Sequence, residues 1–451
     1  MIRYIVLLLT ILLLSLNLSA LICFPVTYPA LFGNTTTNST ELKDIRFNFS
    51  PIQKTMLFGS TFAGFIIAVI PFCALMQKYK CHRVLTVTSS MSAIILFLTP
   101  ISISSYFPSY IFLRVLQSAI ASKLFIVTGF VVNEWAPKNE RGFFVAVLSS
   151  IEISALFSMT FSGIISENFG WPSNFYFHGF CVGIVTLLWS IVYRDNVLNH
   201  PFLSAREKYM ISEGKDMQSS NCEKSPIPYK SIIKTPSVLA IWISALGNFA
   251  INHFNFSYST IYVKNAMNVP LSEAGRIVLI PMTALIIVRF ITGKLSDSVK
   301  YISELNKIRF FNSLGFFGTA VFLLIIYIFP HGNPDNKFID IVIFTLACCF
   351  CGFASGGTYK STVLVAGQYS SFVFAVFQMI GGMFIGLPGA VVIPRLAPED
   401  TPKQWSNIFL IYAIILAGSN AIFLLFARAS PEDWSIPMNN TKEMKEKTND
   451  L

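Results

Sequence analysis

The sequence predicts an all-α polytopic membrane protein with twelve transmembrane helices in two six-helix halves. Three observations predict it. Hydrophobic residues make up 53% of the 451 residues, charged residues only 12%, and phenylalanine alone contributes 43. A soluble domain carries about 25% charge. Apolar runs long enough to cross the ~30 Å hydrocarbon core of a bilayer recur along the whole chain. One basic polar segment, residues 195–236, interrupts them near the middle. The ten-residue alternating segments of a transmembrane β-barrel are not evident.

The formal net charge is +10. About two thirds of the Lys and Arg fall where a twelve-span topology places cytoplasm, which is the positive-inside pattern. No basic patch interleaves with aromatics, so no nucleic-acid partner is expected. The cysteines, Cys23, Cys73, Cys81, Cys181, Cys222, Cys348, Cys349 and Cys351, sit in or beside apolar spans or in cytoplasmic loops. That placement indicates no disulfide framework. Cys348, Cys349 and Cys351 lie in a continuous apolar run without nearby His or acid. They read as packed thiols rather than a metal site.

The elements follow in order. Residues 1–24 carry Arg3, an apolar run and Asn17-Leu18-Ser19-Ala20. This could be a cleaved signal peptide. The apolar run continues past that point through Leu21, Ile22, Phe24 and Val26, which favours an uncleaved first span to about Leu31. Residues 33–53 are polar and hold three Asn-X-Ser/Thr acceptors, at Asn34, Asn38 and Asn48. A glycosylated lumenal or extracellular loop is expected there. Spans two to six are expected near 54–76, 83–103, 108–132, 143–165 and 174–194. After the linker come spans near 237–263, 274–294, 308–329, 338–358, 371–396 and 405–427. The domains are therefore 1–194, a cytoplasmic linker 195–236, 237–427 and a polar cytoplasmic tail 428–451. Two such halves joined by a basic linker form the layout of a secondary transporter with both termini cytoplasmic.

The corner Asn133–Arg141 joins spans four and five. It is charged and proline-interrupted, so it belongs at a membrane surface, with Trp135 at headgroup depth. Gly293-Lys294-Leu295-Ser296-Asp297 occupies the turn between spans eight and nine.

Four stretches carry a family resemblance. They are Arg114-Val115-Leu116-Gln117 with Trp135-Ala136-Pro137 and Glu140-Arg141; Gly170-Trp171-Pro172 with Phe175-Tyr176 and Gly179; His200-Pro201 with Ser204, Glu207 and Ile211; and Ile227-Pro228-Tyr229-Lys230-Ser231-Ile232 leading to Asn248 and Tyr262. With the twelve-span layout and Gly-X-Leu-X-Asp, the chain resembles the major facilitator superfamily. Within it, the chain is similar to the anion–cation symporters: sialin, the vesicular glutamate transporters and the type I sodium–phosphate cotransporters. Residues 356–361 and 368–370 look more like a divergent nematode branch. The resemblance implies the major facilitator fold and a gating motif at Gly293, Asp297, Glu140 and Arg141. The chain also departs from the family. A glutamate of the family aligns with Ala121, a histidine with Gly129 and a span-one arginine with Ser15.

Charges inside a span cost about 2.5–3.5 kcal/mol each on insertion scales, so each needs a partner or an aqueous cavity. Arg114, Lys123, Glu152 and Arg289 stand out. At 100° per residue, Arg114, Gln117, Ser118 and Ser122 share one face of span four, and Lys123 points away from Arg114. Arg114 is expected to hold a carboxylate or phosphate through its fork of donors; the alternative is a structural ion pair or a headgroup contact. Lys123 is expected to pair with Glu152 or to snorkel. Glu152 is a candidate for coupling to a proton, or a salt-bridge partner of Lys123 or Arg289. Arg289 is either a second anion contact or an anchor. In span seven Asn248, Asn252, Asn255, Ser259 and Tyr262 form one polar stripe, read as lining a pathway. His253 is off the stripe and reads as an ordinary buried histidine. Gly382, Gly386 and Gly389 in span eleven permit close packing or bending.

The expectation is a secondary active transporter of a small organic or inorganic anion. It would be driven by an ion gradient or the membrane potential and work by alternating access, with Arg114, Gln117, Ser118, Asn248, Asn252 and Arg289 as substrate contacts. The alternative is a non-transporting sensor or receptor on the same scaffold. No nucleotide loop, metal cluster, Gly-X-Ser-X-Gly or intramembrane acid pair suggests an enzyme. No cofactor is expected beyond a coupling proton or sodium ion. The partners expected are a small anionic solute and membrane lipid, and the chain is expected to be monomeric. The plasma membrane or an endolysosomal or synaptic-type vesicle membrane is the expected location.

Overall fold

The structure is a computed structural model and describes residues 2–32, 51–197, 200–212, 227–267, 269, 271–329 and 337–435. The sequons at Asn34, Asn38 and Asn48, together with Cys222, lie outside the described residues. Among the described residues there is no strand. The helices are α1 (Ile2–Phe32), α2 (Pro51–Tyr79), α3 (Cys81–Ser105), α4 (Phe107–Ala121), α5 (Leu124–Trp135), α6 (Arg141–Leu148), α7 (Glu152–Phe169), α8 (Trp171–Val192), α9 (Ala205–Ser212), α10 (Tyr229–Lys234), α11 (Pro236–Ser257), α12 (Ser259–Ile261), α13 (Leu271–Ser298), α14 (Glu304–Ile328), α15 (Lys337–Gly352), α16 (Thr358–Ala366), α17 (Ser370–Gly381), α18 (Leu387–Leu396) and α19 (Pro402–Phe426).

Among the described residues, eleven helical stretches are long and apolar enough to cross a membrane. One of them, Phe338–Ile393, has 56 residues. A crossing takes about 20 residues, so this stretch accounts for two. It turns at Gly367, whose φ of 49° is a left-handed conformation that favours glycine. Twelve crossings result, as the hydropathy of the sequence predicts.

Spans four and five are each broken rather than continuous as expected. Span four stops at Ala121 and restarts at Leu124, and span five stops at Leu148 and restarts at Glu152. Serine hydroxyls compete for the backbone carbonyls at both breaks. Ser122 Oγ donates to Ala119 O at 2.7 Å, and Ser150 Oγ donates to Ala146 O at 2.8 Å. Irregular backbone at membrane depth survives only where protein or a cavity covers it. Span eleven carries a π-helical turn at Gly382–Gly386, the kind of local irregularity that bends a helix.

The chain forms two compact units. One comprises Ile5–Leu124 and Ile151–Tyr193. Its core packs Leu16, Ala20 and Phe24 of α1 with Leu57, Leu96, Tyr110, Trp171 and Phe175. Helix α1 is an integral member of it. Asn17 Nδ2 donates to Ser89 Oγ at 3.1 Å, Trp189 Nε1 to Thr10 Oγ1 at 2.9 Å and Asn174 Nδ2 to Thr27 Oγ1 at 2.7 Å. Gly64 lets α2 press against α4, because a Cβ there would run into Val115 O.

The other unit comprises Met1–Tyr4, Phe125–Ser150 and Arg194–Leu451. Asn312 pins three of its helices. Its Oδ1 accepts Thr358 N–H at 3.1 Å and its Nδ2 donates to Asn420 Oδ1 at 2.8 Å. An aromatic cluster of Phe254, Tyr262, Trp405 and Phe409 closes one end of α11.

Trp135 belongs to this unit and is fully buried in protein. Its Nε1 donates to Arg194 O at 3.1 Å, and its ring meets His200 edge-on at 5.4 Å. The indole fastens the end of α5 to the chain after α8, so Trp135-Ala136-Pro137 and His200-Pro201 form one contact. Trp135→Ala is expected to cost about 3–5 kcal/mol by leaving a cavity. Trp135→Phe should lose only the hydrogen bond, about 0.5–1.5 kcal/mol. The monodisperse fraction recovered from detergent after a heating series ranks the two.

Candidate functional site

In the unit built from α1–α4, α7 and α8, Arg114 projects from α4 and is 5% exposed. Its Nη2 donates to Thr61 Oγ1 of α2 at 2.8 Å, and its Nη1 to Leu21 O of α1 at 3.3 Å. The guanidinium carbon lies 4.4 Å over the Phe24 ring. Tyr110, one turn earlier on α4, packs its ring against Phe24 at 5.7 Å. Among the described residues no carboxylate pairs with Arg114. Its Nε and the Tyr110 hydroxyl are buried without a hydrogen-bond partner. A buried guanidinium nitrogen and a phenol without acceptors are donors of the kind that hold an oxyanion.

Gln117 and Ser118 lie on the same helix. Gln117 Nε2 donates to Ser92 Oγ of α3 at 2.8 Å, while its Oε1 is unpartnered. Ser118 Oγ donates to Thr61 O. Lys123 corrects the expectation of a pair with Glu152. It lies in the break after α4, is 1% exposed, and donates to Thr88 Oγ1 at 2.7 Å and Ser89 Oγ at 3.2 Å. It therefore reaches the same helix, α3, as Gln117. Glu152 opens α7 and is fully buried. Ala121, in place of the family glutamate, is 1% exposed.

In the other unit, the stripe of α11 divides. Asn248 and Asn252 are buried, and the Oδ1 of each is unpartnered. Asn255 Oδ1 accepts the Cys348 thiol at 3.5 Å, and Ser259 Oγ donates to Asn255 O at 2.6 Å. Tyr262 belongs to the aromatic cluster. The unfilled polar atoms are thus concentrated at Asn248 and Asn252, with Asn255 Nδ2 beyond them. His253 packs beside Tyr258 at 5.5 Å and faces Gly389, where a Cβ would meet its ring. Arg289 is 1% exposed and donates to Ser149 O, the carbonyl closing α6. Its guanidinium lies 6.0 Å from the Tyr359 ring. A cation on the last carbonyls of a helix anchors it.

Gly293, Asp297, Glu140 and Arg141, which the family resemblance implies as a gating motif, all lie in this unit. Asp297, near the end of α13, caps α6: Oδ1 accepts Gly142 N–H at 3.1 Å and Oδ2 accepts Phe143 N–H at 2.8 Å. Gly142 and Gly293 make this approach feasible. A Cβ on Gly142 would meet Asp297 Oδ1 at 2.5 Å, and one on Gly293 would meet Ala146 Cβ at 2.5 Å. Glu140, just before α6, accepts Arg3 Nη2 at 2.8 Å and the Tyr4 hydroxyl at 3.0 Å. Arg141 supplies the first residue of α6 and is half-buried.

The sequence reading missed Lys360. It is 3% exposed on α16 and binds Asp297 Oδ1 at 3.0 Å, Glu304 Oε2 at 3.1 Å and Ser296 Oγ at 3.0 Å. It also missed Thr61, Phe24 and Tyr110. Tyr110 had a visible signal, four residues before Arg114 on the same helical face. Gly129, where the family has histidine, packs against the α17 backbone, and a Cβ would meet Ser371 Cα at 2.6 Å. That contact leaves no room for a side chain.

Twelve apolar crossings with buried charges and broken helices define a multi-pass membrane protein. The family profile described as Major Facilitator Superfamily matches residues 5–389, and the chain belongs to that family. It is 25% identical over 437 residues to human sodium-dependent phosphate transport protein 1, covering 95% of this chain and 91% of the relative. The mouse protein of the same name is 25% identical over 410 residues, with 89% and 86% covered. Vesicular glutamate transporter 3 of Danio rerio is 23% identical over 409 residues, with 89% and 68% covered. These relatives bear out the resemblance to anion–cation symporters. Among solved structures, a fucose:proton symporter in the outward conformation matches with TM-score 0.64 at 15% identity, covering 95% of this chain and 100% of that one. A proton:xylose symporter matches with TM-score 0.65 at 13% identity, covering 94% and 96%. Both show the fold alone. Members of this superfamily are transporters and not enzymes.

Proposed function

We propose that this chain is a secondary active transporter of a small organic or inorganic anion, with Arg114 as the anion contact. One observation carries the reading. Arg114 is a buried cation with no carboxylate partner among the described residues, and its Nε and the hydroxyl of Tyr110 on the same helix are both buried and unpartnered. Leaving a desolvated charge uncompensated costs several kcal/mol, so a site of this kind is built for a counter-ion that comes and goes. The relatives named for phosphate and glutamate transport support an anion. Gln117 and Ser118 supply neutral polar contacts on the same helix, and Asn248 and Asn252 offer unfilled amide oxygens in the other unit. Arg289, with its α6 partner, acts as an anchor. The chain works by alternating access, with both termini cytoplasmic, in the plasma membrane or a vesicle membrane.

The test is uptake of inorganic phosphate and of L-glutamate into proteoliposomes, with pH, sodium and voltage imposed separately. Uptake of either anion that responds to one of these gradients is expected. Protein that binds an anion yet moves none under any gradient would overturn transport in favour of a sensor.

A further inference from the structure

Lys123 is a fully desolvated lysine with only neutral partners. Its Nζ donates to the hydroxyls of Thr88 and Ser89 at 2.7 and 3.2 Å. Among the described residues no carboxylate pairs with it. The facing groups on α3 are these two hydroxyls and, electrostatically, the Cys81 thiol. From α1 the Asn17 amide reaches the same Ser89 hydroxyl at 3.1 Å. On α4 the polar neighbours are Ser122 and Gln117, with the fixed cation Arg114 nine residues earlier.

Two physical features follow. An ammonium in this position carries its full desolvation cost, whereas the neutral amine carries far less. The Ser89 hydroxyl accepts from an ammonium or donates to an amine lone pair, whereas Thr88, whose own proton goes to Val84 O at 2.8 Å, accepts only. A carboxylate partner would instead have fixed the charged form. A polar track then leads toward Arg114. Ser89 and Ser92 are a turn apart on α3, and Ser92 accepts from Gln117, which stands one turn from Arg114. Asn17 Oδ1 and Gln117 Oε1, both buried and unpartnered, are free acceptors along this track.

We propose that Lys123 is the proton-carrying group that couples anion movement at Arg114 to a proton gradient. The proposal rests on the anion-transport reading above. The Nζ lone pair takes a proton from hydronium on the acidic side, forming an N–H bond and leaving water. The ammonium returns the proton to water on the other side, and the amine is recovered. Anion at Arg114 cancels the guanidinium field and favours the ammonium. When the anion leaves, the uncompensated guanidinium disfavours a second cation in the same unit and the proton is expelled.

The experiment uses the full chain, Lys123→Gln and Lys123→Arg, each checked for monodispersity. Gln keeps a donor for Thr88 and Ser89, and Arg fixes the charge. Phosphate and L-glutamate are the probes, and the comparison with the variants cancels protons carried by phosphate itself. One pH unit supports about tenfold accumulation when one proton accompanies each anion. The wild type is expected to show that dependence and to take up a proton on binding anion in weak buffer. Both variants should show rates independent of pH and no proton uptake on binding. Proton uptake retained in either variant, or abolished by Glu152→Gln instead, overturns the proposal. So does loss of anion binding in both folded variants, which would make Lys123 a ligand. Sodium-driven, pH-insensitive wild-type transport overturns this inference alone, whereas a wild type that binds neither anion overturns the transport reading as well.

Discussion

Arg114→Gln is expected to abolish anion-dependent stabilisation and uptake while the protein still folds. The side chain is held by Thr61 and Leu21 and stacked on Phe24. Gln is long enough to keep one of those hydrogen bonds and fills most of the space. What it cannot keep is the charge or the fork that meets an oxyanion. Truncating one member of a desolvated, hydrogen-bonded charge pair costs about 2–5 kcal/mol of binding, a loss of roughly 30- to several thousand-fold. Ligand at 100 times its Kd stabilises a protein by about 2.7 kcal/mol, so a hundredfold weaker variant retains only about 0.4 kcal/mol at that concentration. Thermal melts with and without phosphate or L-glutamate read this difference directly, and vesicle uptake should fall in parallel. Arg114→Lys should lie between, since it keeps the charge and loses the planar geometry. Arg114→Gln protein that melts normally, shifts normally with anion and transports at the wild-type rate would remove Arg114 from the site.

The fold was legible because hydropathy alone decides which segments enter a membrane. The twelve crossings, the uninterrupted first helix and the two-part layout all follow from apolar runs and charge asymmetry. The breaks in spans four and five were not legible. They contain neither proline nor glycine, and Ser122-Lys123 and Ser149-Ser150-Ile151 look like ordinary polar positions in a helix. That omission spoiled one inference. Counting 100° per residue turns Lys123 away from Arg114 and Gln117, yet the helix ends before Lys123 is reached. Gln117 and Lys123 then both contact α3, at Ser92 and at Thr88 with Ser89. Arg114 itself was legible, because a charge in a span demands a partner. Its supports were not, since Phe24 and Thr61 come from other helices and carry no pattern that singles them out. The burial of Trp135 was not legible for a related reason. An aromatic residue at a span end reads as an interface anchor, and only the chain following α8 shows that its indole is covered.

Asp297→Asn is expected to loosen α13 from α6 and to shift the conformational equilibrium of this gate. The carboxylate works in three ways at once. It accepts two backbone N–H groups of the first turn of α6, it places negative charge at the positive end of that helix, and it pairs with Lys360. Hydrogen bonds to a charged group contribute about 1.5–3 kcal/mol each. A charge at a helix end adds about 0.3–2 kcal/mol. Asparagine has nearly the same shape but one acceptor where aspartate has two, so its amide N–H₂ must face either a backbone donor or an ammonium. Breaking such a buried pair costs about 3–5 kcal/mol, and every 1.4 kcal/mol moves a two-state ratio tenfold. Lys360 keeps Glu304 and Ser296 in the variant, and the α6 cap bears the loss. Lys360→Met should therefore have the smaller effect, because Asp297 retains both N–H groups. Spin labels at the exposed positions Asn139 and Lys294, in a background without native cysteines, report the α6–α13 separation by pulsed EPR. The wild type should give one short distance. Asp297→Asn should add a longer population, and Lys360→Met a smaller one. Identical distributions in all three would show that glycine packing at Gly142 and Gly293, rather than the carboxylate, holds this contact closed.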